Sequence, residues 1–322
     1  MPSFSDRLEN RGRPLELLFT VGLSLLACFT FPGQSFAAEN LADEWNLKTP
    51  AGENAGPFQA HRLNYFLPLS KTSNMNSQPS SPTPGRTVLV AEDLDSVEAK
   101  FQFSIKSELW GSDSLFGTDW YGFNRFRLWF AYTQQSNWQL WNGRNSSPFR
   151  ESNYEPELIA TLGKAAESST FKLFNVGLVH QSNGQANPKS RSWWRVYGQG
   201  GFEIGDVSLL ARVWRRTDRG GDADDNPDIA DYVGRGDLVA QFRMADRNTI
   251  TLLLRDNLKR YSNRGFAQFD WSMPWFWPLR SLNKGSSRFH LQATTGYGES
   301  LIDYNHRQKT VGVGFSFGLD GR

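Results

Sequence analysis

The run Phe171-Lys-Leu-Phe-Asn-Val-Gly-Leu-Val-His-Gln-Ser-Asn-Gly184 joins a strand pattern to a reactive pair. In a β-strand, residues i and i+2 point to the same face. Phe174, Val176, Leu178, His180 and Ser182 therefore share one face. Asn175, Gly177 and Gln181 take the other, with Leu173 and Val179 as apolar exceptions. A candidate base and a candidate nucleophile thus end the greasy face of a strand. That placement is odd in a soluble protein. It is coherent if the face touches lipid and the substrate is lipid.

The same period of two recurs along the chain. Leu128, Phe130, Tyr132, Gln134, Ser136, Trp138 and Leu140 alternate with Arg127, Trp129, Ala131, Thr133, Gln135, Asn137 and Gln139. Trp194, Val196, Gly198, Gly200, Phe202 and Ile204 alternate with a set that includes Arg195, Tyr197, Gln199 and Glu203. Similar runs span 232–244 and 287–297, and Val311 to Leu319 closes the series. Each has roughly the ten-residue length with which a tilted strand crosses a bilayer. A soluble sandwich alternates too. Two features favour a membrane barrel. Arg, Asp, Gln and His share the polar parity, as in a hydrated lumen, and Tyr and Trp gather near run ends, as in an interfacial girdle. The continuation past Phe317 as Gly-Leu-Asp-Gly-Arg322 argues the other way, since many such barrels end on an aromatic residue. The expected fold is all-β: a transmembrane antiparallel β-barrel of about twelve strands, from Asn64–Leu69 to Thr310–Leu319.

Composition fits this reading. The chain has 322 residues, a net charge of +2 and mixed signs, which points to no nucleic-acid partner. Mean hydropathy is −0.53, a soluble-looking value that barrels share because only alternate residues face lipid. Arg7, Arg11 and Arg13 precede an apolar run from Leu15 to Phe31, and Ser35-Phe36-Ala37 supplies small residues for cleavage. Residues 1–37 read as a secretory signal peptide. An N-terminal anchor and a lipoprotein box at Leu25-Leu26-Ala27-Cys28 are the weaker alternatives. Cys28 is the only cysteine, so cleavage after Ala37 leaves no disulfide and no thiolate metal site. Residues 38–61 read as an irregular lead-in and 62–322 as the barrel. Within the latter, 71–86 reads as a loop or disordered tether.

Chemistry starts from His180 and Ser182, a pair that a His-x-Ser spacing alone identifies weakly. Its surroundings add to it. Tyr132-Thr-Gln134, Ser146-Ser-Pro-Phe-Arg-Glu-Ser-Asn-Tyr-Glu-Pro156, His180-Gln-Ser-Asn-Gly184, Ser190-Arg-Ser-Trp193, Asp224-Asp-Asn-Pro-Asp228 and Tyr297-Gly-Glu-Ser-Leu-Ile-Asp-Tyr-Asn305 follow in order. This set resembles the bacterial outer membrane phospholipase A family over about residues 62–319. The resemblance implies a lipid-facing active site on a twelve-stranded barrel in the outer membrane. It implies calcium-dependent hydrolysis of sn-1 and sn-2 acyl esters of phospholipids and lysophospholipids, and activity as a homodimer. Carried over by position, Ser182 is the nucleophile, His180 the base and Gly184 an oxyanion donor. Ser146, Gln185 and Ser190 match the dimer-form Ca2+ positions, Asp225 the monomer-form one, and Gln134 a dimer-interface glutamine.

The residues speak to two of these points directly. Gln134 lies on the apolar parity, where an unpaired amide facing hydrocarbon is costly and a second subunit would cover it. Ca2+ wants oxygen ligands, which 184–191 and Asp222-Ala-Asp-Asp-Asn-Pro-Asp228 contain. Three positions depart from the family. Gln185 stands for an Arg, Asn187 for an Asp, and Trp194 for the Asn that orients the catalytic His. An indole N–H donates and cannot accept from an imidazole N–H. The alternative is therefore a catalytically weakened barrel of the same ancestry, structural or permeability-related. A porin, with an open lumen, is more remote.

Overall fold

A computed structural model describes residues 40–53, 57–113, 121–218, 224–244, 247–276 and 287–318. Residues 1–37, read above as a signal peptide, and Asp222 and Leu319 lie outside them. A two-residue strand, β1 (Gln59–Ala60), precedes twelve long ones. These are β2 (Asn64–Thr72), β3 (Val97–Ser112), β4 (Arg125–Trp138), β5 (Phe149–Gly163), β6 (Phe171–Ser182) and β7 (Ser192–Ile204). They continue as β8 (Val207–Arg216), β9 (Gly236–Arg243), β10 (Thr249–Asp256), β11 (Gly265–Met273), β12 (Arg288–Gly296) and β13 (Gln308–Phe317).

Each long strand pairs antiparallel with its neighbours in sequence. β13 returns to β2 through pairs such as Val313↔Leu69 and Phe315↔Phe66, so the sheet closes. Closure is what a membrane demands, because an open edge would leave backbone N–H and C=O groups unpaired in hydrocarbon. The barrel is an antiparallel one of twelve strands, as the alternation predicts. No helix among the described residues is long and apolar enough to cross a membrane, and crossing falls to the strands.

Parity decides inside from outside. On β6, Phe174, Val176 and Leu178 are 40, 48 and 44% exposed, while Leu173, Asn175, Gly177 and Val179 are buried. The apolar face is the outer wall, and the other parity fills the lumen. Polar luminal groups pair with each other. Lys100 Nζ donates to Glu299 at 2.8 Å and Gln292 at 2.9 Å. Arg150 bridges Glu98 and Asp303, Arg212 pairs with Asp237, and His290 lies between Asp270 and Ser272. A luminal cavity of about 410 Å3 remains among residues that include Arg62, Glu155, Arg212, Asp237 and Arg255.

Several details differ from the sequence reading. Not every Trp joins a girdle: Trp129, on the polar parity, and Trp193 are fully buried in the lumen. Tyr232 belongs to a short helix, Ile229–Tyr232, and its strand starts only at Gly236. The lead-in is not wholly irregular. Helix Leu41–Glu44, capped by Asn40, leads to Trp45 and Leu47, both buried. Trp45 stands edge-on to Trp129, centroids 5.9 Å apart, with Lys106 Nζ 3.9 Å over its ring. Leu47 fits because residue 163 is glycine: a Cβ there would lie 2.2 Å from it. Segment 40–49 therefore packs against the barrel end opposite Ser182, held also by Arg125 and Arg127 on the carbonyls of Leu47 and Thr49.

The stretch 71–86 is neither all loop nor a tether. Lys71 and Thr72 finish β2, and the Ser/Pro-rich remainder is a strap over the Ser182 end. Its polar groups explain its order. Asn76 donates to Asp303 and Asn305 to the Ser80 carbonyl, each at 3.0 Å. Ser81 donates to the Asp225 carbonyl, and Arg191 donates to the Arg86 carbonyl. Burial keeps the aspartate-bound Tyr304 phenol beside it well above its usual range, with its hydrogen bond to Asp228 adding to the effect.

Candidate active site

Two ladders place Ser182. It stands opposite Tyr154 on β5 and Ser192 on β7, and His180 stands opposite Trp194 on β7. The β5–β6 ladder skips from Tyr154↔Ser182 to Glu157↔Val179, around Pro156, which has no N–H to give. His180 and Ser182 are half-buried on the outer parity of β6, beyond Leu178. The structure thus puts both on the lipid-facing wall at one end of the barrel.

Gly184 follows in the left-handed region, φ 62°, with its surface exposed. Only glycine suits this turn, since φ disfavours a side chain and a Cβ would sit 3.3 Å from the Tyr154 ring. The loop 183–191 is held from within by Asn183. Its Oδ1 accepts from Arg191 N at 2.9 Å and Gln185 N at 3.3 Å, and its Nδ2 donates to the Lys189 carbonyl at 2.8 Å. The backbone beside Ser182 is therefore fixed by side-chain hydrogen bonds after the strand ends.

The third position of the pair is the anomaly. The Trp194 indole lies against the His180 imidazole, centroids 4.6 Å apart at 36°. His180 Nδ1 is buried and has no hydrogen-bond partner. Stacking restrains the ring tilt but supplies no acceptor for an Nδ1 proton.

Two of the four predicted metal-site residues meet. Ser190 Oγ donates to Asp225 Oδ2 at 2.6 Å. Gln185 hydrogen-bonds through its side-chain amide, Nε2 donating to the Arg150 carbonyl at 3.1 Å. Ser146 is exposed, a left-handed residue after the turn Gly143–Asn145. Among the described residues no group of three or more His, Cys, Asp or Glu is placed to hold a metal. The oxygens of Ser190 and Asp225 do suit a hard cation in donor type. Arg86, which sequence reasoning missed, already neutralises Asp225: its Nε donates to Oδ1 at 2.6 Å. The available signal was its place as the basic end of a Ser/Pro-rich stretch.

Gln134 is on the outer wall, and its amide is not orphaned. Tyr132 Oη donates to its Oε1 and its Nε2 donates to Ser136 Oγ, both at 3.2 Å. These bonds along one strand lower the cost of an outward amide without a partner subunit. They leave one N–H and one lone pair for one.

The phospholipase A1 family model matches residues 41–317. The chain belongs to the phospholipase A1 family. It is 42% identical over 269 residues to a putative phospholipase A1 of Neisseria meningitidis serogroup B, a match covering 81% of this chain and 65% of that relative. The structure of Escherichia coli outer membrane phospholipase A superposes with a TM-score of 0.66 at 32% identity, over 81% of this chain and 98% of that one. A calcium-bound dimer of the Salmonella typhi outer membrane phospholipase superposes with a TM-score of 0.66 at 31% identity, over 80% and 91%. Family and closed barrel together make this a bacterial outer-membrane β-barrel.

Proposed function

We propose that the chain is a calcium-dependent phospholipase that cleaves sn-1 and sn-2 acyl esters of phospholipids and lysophospholipids, acting as a homodimer. One observation carries this: a His and a Ser share the lipid-facing wall of β6, with a glycine turn directly after them. Ser182 Oγ attacks the ester carbonyl carbon while His180 takes its proton. The developing oxyanion is met by the Gly184 N–H. The acyl–oxygen bond to glycerol then breaks, and His180 returns the proton to the leaving glycerol oxygen. Water, deprotonated by His180, hydrolyses the acyl-enzyme and releases fatty acid. Ser146, Gln185 and Ser190 in the dimer, and Asp225 in the monomer, would hold Ca2+. When bound, the ion would supply positive charge near the oxyanion. A partner copy against Gln134 would use the amide capacity that Tyr132 and Ser136 leave free.

The deciding assay is fatty-acid release from detergent-dispersed phospholipid with and without calcium. Release that calcium raises and a chelator abolishes supports the reading. No release at any calcium concentration supports the second reading, a catalytically weakened barrel, which the unpaired His180 Nδ1 favours. Asp225→Ala in dilute monomer should shift half-activation to higher calcium, while an unchanged calcium titration removes that ligand.

Trp194→Asn should raise turnover, because an amide oxygen gives Nδ1–H an acceptor. A neutral partner carries no charge, so the expected gain is roughly tenfold, about 1.4 kcal/mol of barrier. Lost indole packing opposes it. The comparison is turnover at saturating calcium, with dimer fraction fixed by crosslinking. Equal turnover would show that an asparagine at 194 adds nothing to the orientation of His180.

A further inference from the structure

We propose that Arg86 is a tethered cation that competes with calcium for Asp225, so that the monomer-form calcium position opens only when the Arg86 side chain leaves it. This rests on the reading of Asp225 as the monomer-form ligand above. Both oxygens of the carboxylate are engaged. Arg86 Nε donates to Asp225 Oδ1 and Ser190 Oγ donates to Oδ2, each at 2.6 Å. The Arg86 and Asp225 side chains are 16 and 13% exposed, so solvent screens their attraction little. A calcium ion at Asp225 would have to displace the guanidinium or share the carboxylate with a like charge. Arg86 is also held in place by bonds that do not involve that carboxylate. Ser81 N donates to the Arg86 carbonyl and Arg86 N to the Thr83 carbonyl, each at 3.1 Å. Arg191 Nη2 donates to the Arg86 carbonyl at 3.0 Å. The same turn of the strap is pinned to the backbone of the acidic loop, with the Ser81 and Thr83 hydroxyls donating to the Asp225 and Asp224 carbonyls. The strap therefore delivers the guanidinium to position 225.

The neighbouring acids are committed elsewhere. Asp224 Oδ1 accepts from Arg216 Nη2 at 2.7 Å, Asp228 accepts from the Tyr304 phenol, and Glu92 pairs with Lys189. Asn187, in the loop that carries Gln185 and Ser190, adds oxygen but no charge. A hard dication binds weakly where its carboxylates are already neutralised. The dimer-form position escapes this block. Ser190 gives its proton to Asp225 and keeps the lone pairs of its own oxygen. Arg86 thus closes the monomer-form position and leaves the Ser190 oxygen available, with Ser146 and Gln185, in the dimer. Calcium uptake is thereby tied to dimerisation.

The test is calcium binding itself, by isothermal titration of calcium chloride into the Ser182→Ala protein, which keeps turnover out of the readout. Protein is diluted until crosslinking shows monomer. Arg86→Gln removes the charge and keeps a polar side chain. It should tighten calcium binding by the monomer at least about tenfold, because apparent affinity follows the fraction of sites that is open. Arg86→Lys, which keeps the charge, should gain much less. In the Asp225→Ala background Arg86→Gln should change nothing, since the arginine acts through that carboxylate. Should Arg86→Gln fail to give a heat-modifiable barrel, Arg86→Met carries the same test. Unchanged calcium affinity in a folded Arg86→Gln or Arg86→Met monomer overturns the proposal. So does an equal gain in the Asp225→Ala background, which would show only a general loss of positive charge. An equal gain in the dimer overturns the link to dimerisation. Asp225→Ala alone separates the two levels. If it leaves monomer binding unchanged, Asp225 is no ligand and the site reading fails; if it weakens binding while Arg86→Gln changes nothing, only the role of Arg86 fails.

Discussion

Ser182→Ala should lower phospholipid hydrolysis by at least about four orders of magnitude while leaving the barrel folded. In serine hydrolases the nucleophile and base act as a unit, and removing either costs nearly as much as removing both. What remains is binding and the oxyanion donor, which in the proposed mechanism is the Gly184 N–H. Folding should be spared, because Ser182 is half-buried at the end of β6 and its backbone is fixed by the ladders to Tyr154 and Ser192. Heat-modifiable migration reports the fold, and fatty-acid release reports the chemistry. Activity near the wild-type level in a folded protein would place the nucleophile elsewhere.

The outer wall of the barrel is legible in the sequence because a single constraint writes it. Every second residue must satisfy hydrocarbon, so Phe174, Val176 and Leu178 predict their own exposure without any knowledge of partners. The lumen obeys a looser rule. Any group is accepted there if another group pairs with it, so Trp129 and Trp193 enter beside Lys106 and Arg195. Parity places Trp129 inward, on the side of Arg127 and Gln135, although it carries no sign of the partner that will accept it. The strap is illegible for a related reason. Ser, Thr, Asn and Pro in 73–84 have no periodicity, and their order comes from Asp303, Asn305 and Asp225, far away in sequence. The helix Ile229–Tyr232 overlaps the alternating run 232–244 only at Tyr232, and a single turn leaves no periodicity of its own to set it apart.

The site divides along the same line. His180, Ser182 and Gly184 lie within five residues, so strand parity and a glycine turn bring them together in the sequence itself. The Ser190–Asp225 contact depends on two loops meeting, and its control by Arg86 on a third. Such a contact cannot be read from spacing.

The same loop end rests on one buried cation, and removing it should cost more stability than any surface change. Arg150 Nε and Nη2 grip Glu98 at 2.7 and 3.0 Å, while Nη1 reaches Asp303 at 2.6 Å. The three side chains are 4, 2 and 1% exposed. Glu98 also accepts from Gln139, and Asp303 from Asn76 of the strap, so one guanidinium links β3, β5, the strap and the loop 297–307. Arg150→Met keeps an unbranched apolar stem but no charged head, and strands two carboxylates without a cation. Breaking a buried pair in this way costs about 3–5 kcal/mol, because desolvation of the remaining charge goes unanswered. Reversible urea unfolding in lipid or detergent at neutral pH measures it. The Arg150 carbonyl holds Gln185, so the loop after Ser182 should loosen as well, and protease should cut the variant there first. A deficit under about 1 kcal/mol at neutral pH would mean that water or neighbouring amides already satisfy Glu98 and Asp303, and that the strap is anchored by its other contacts.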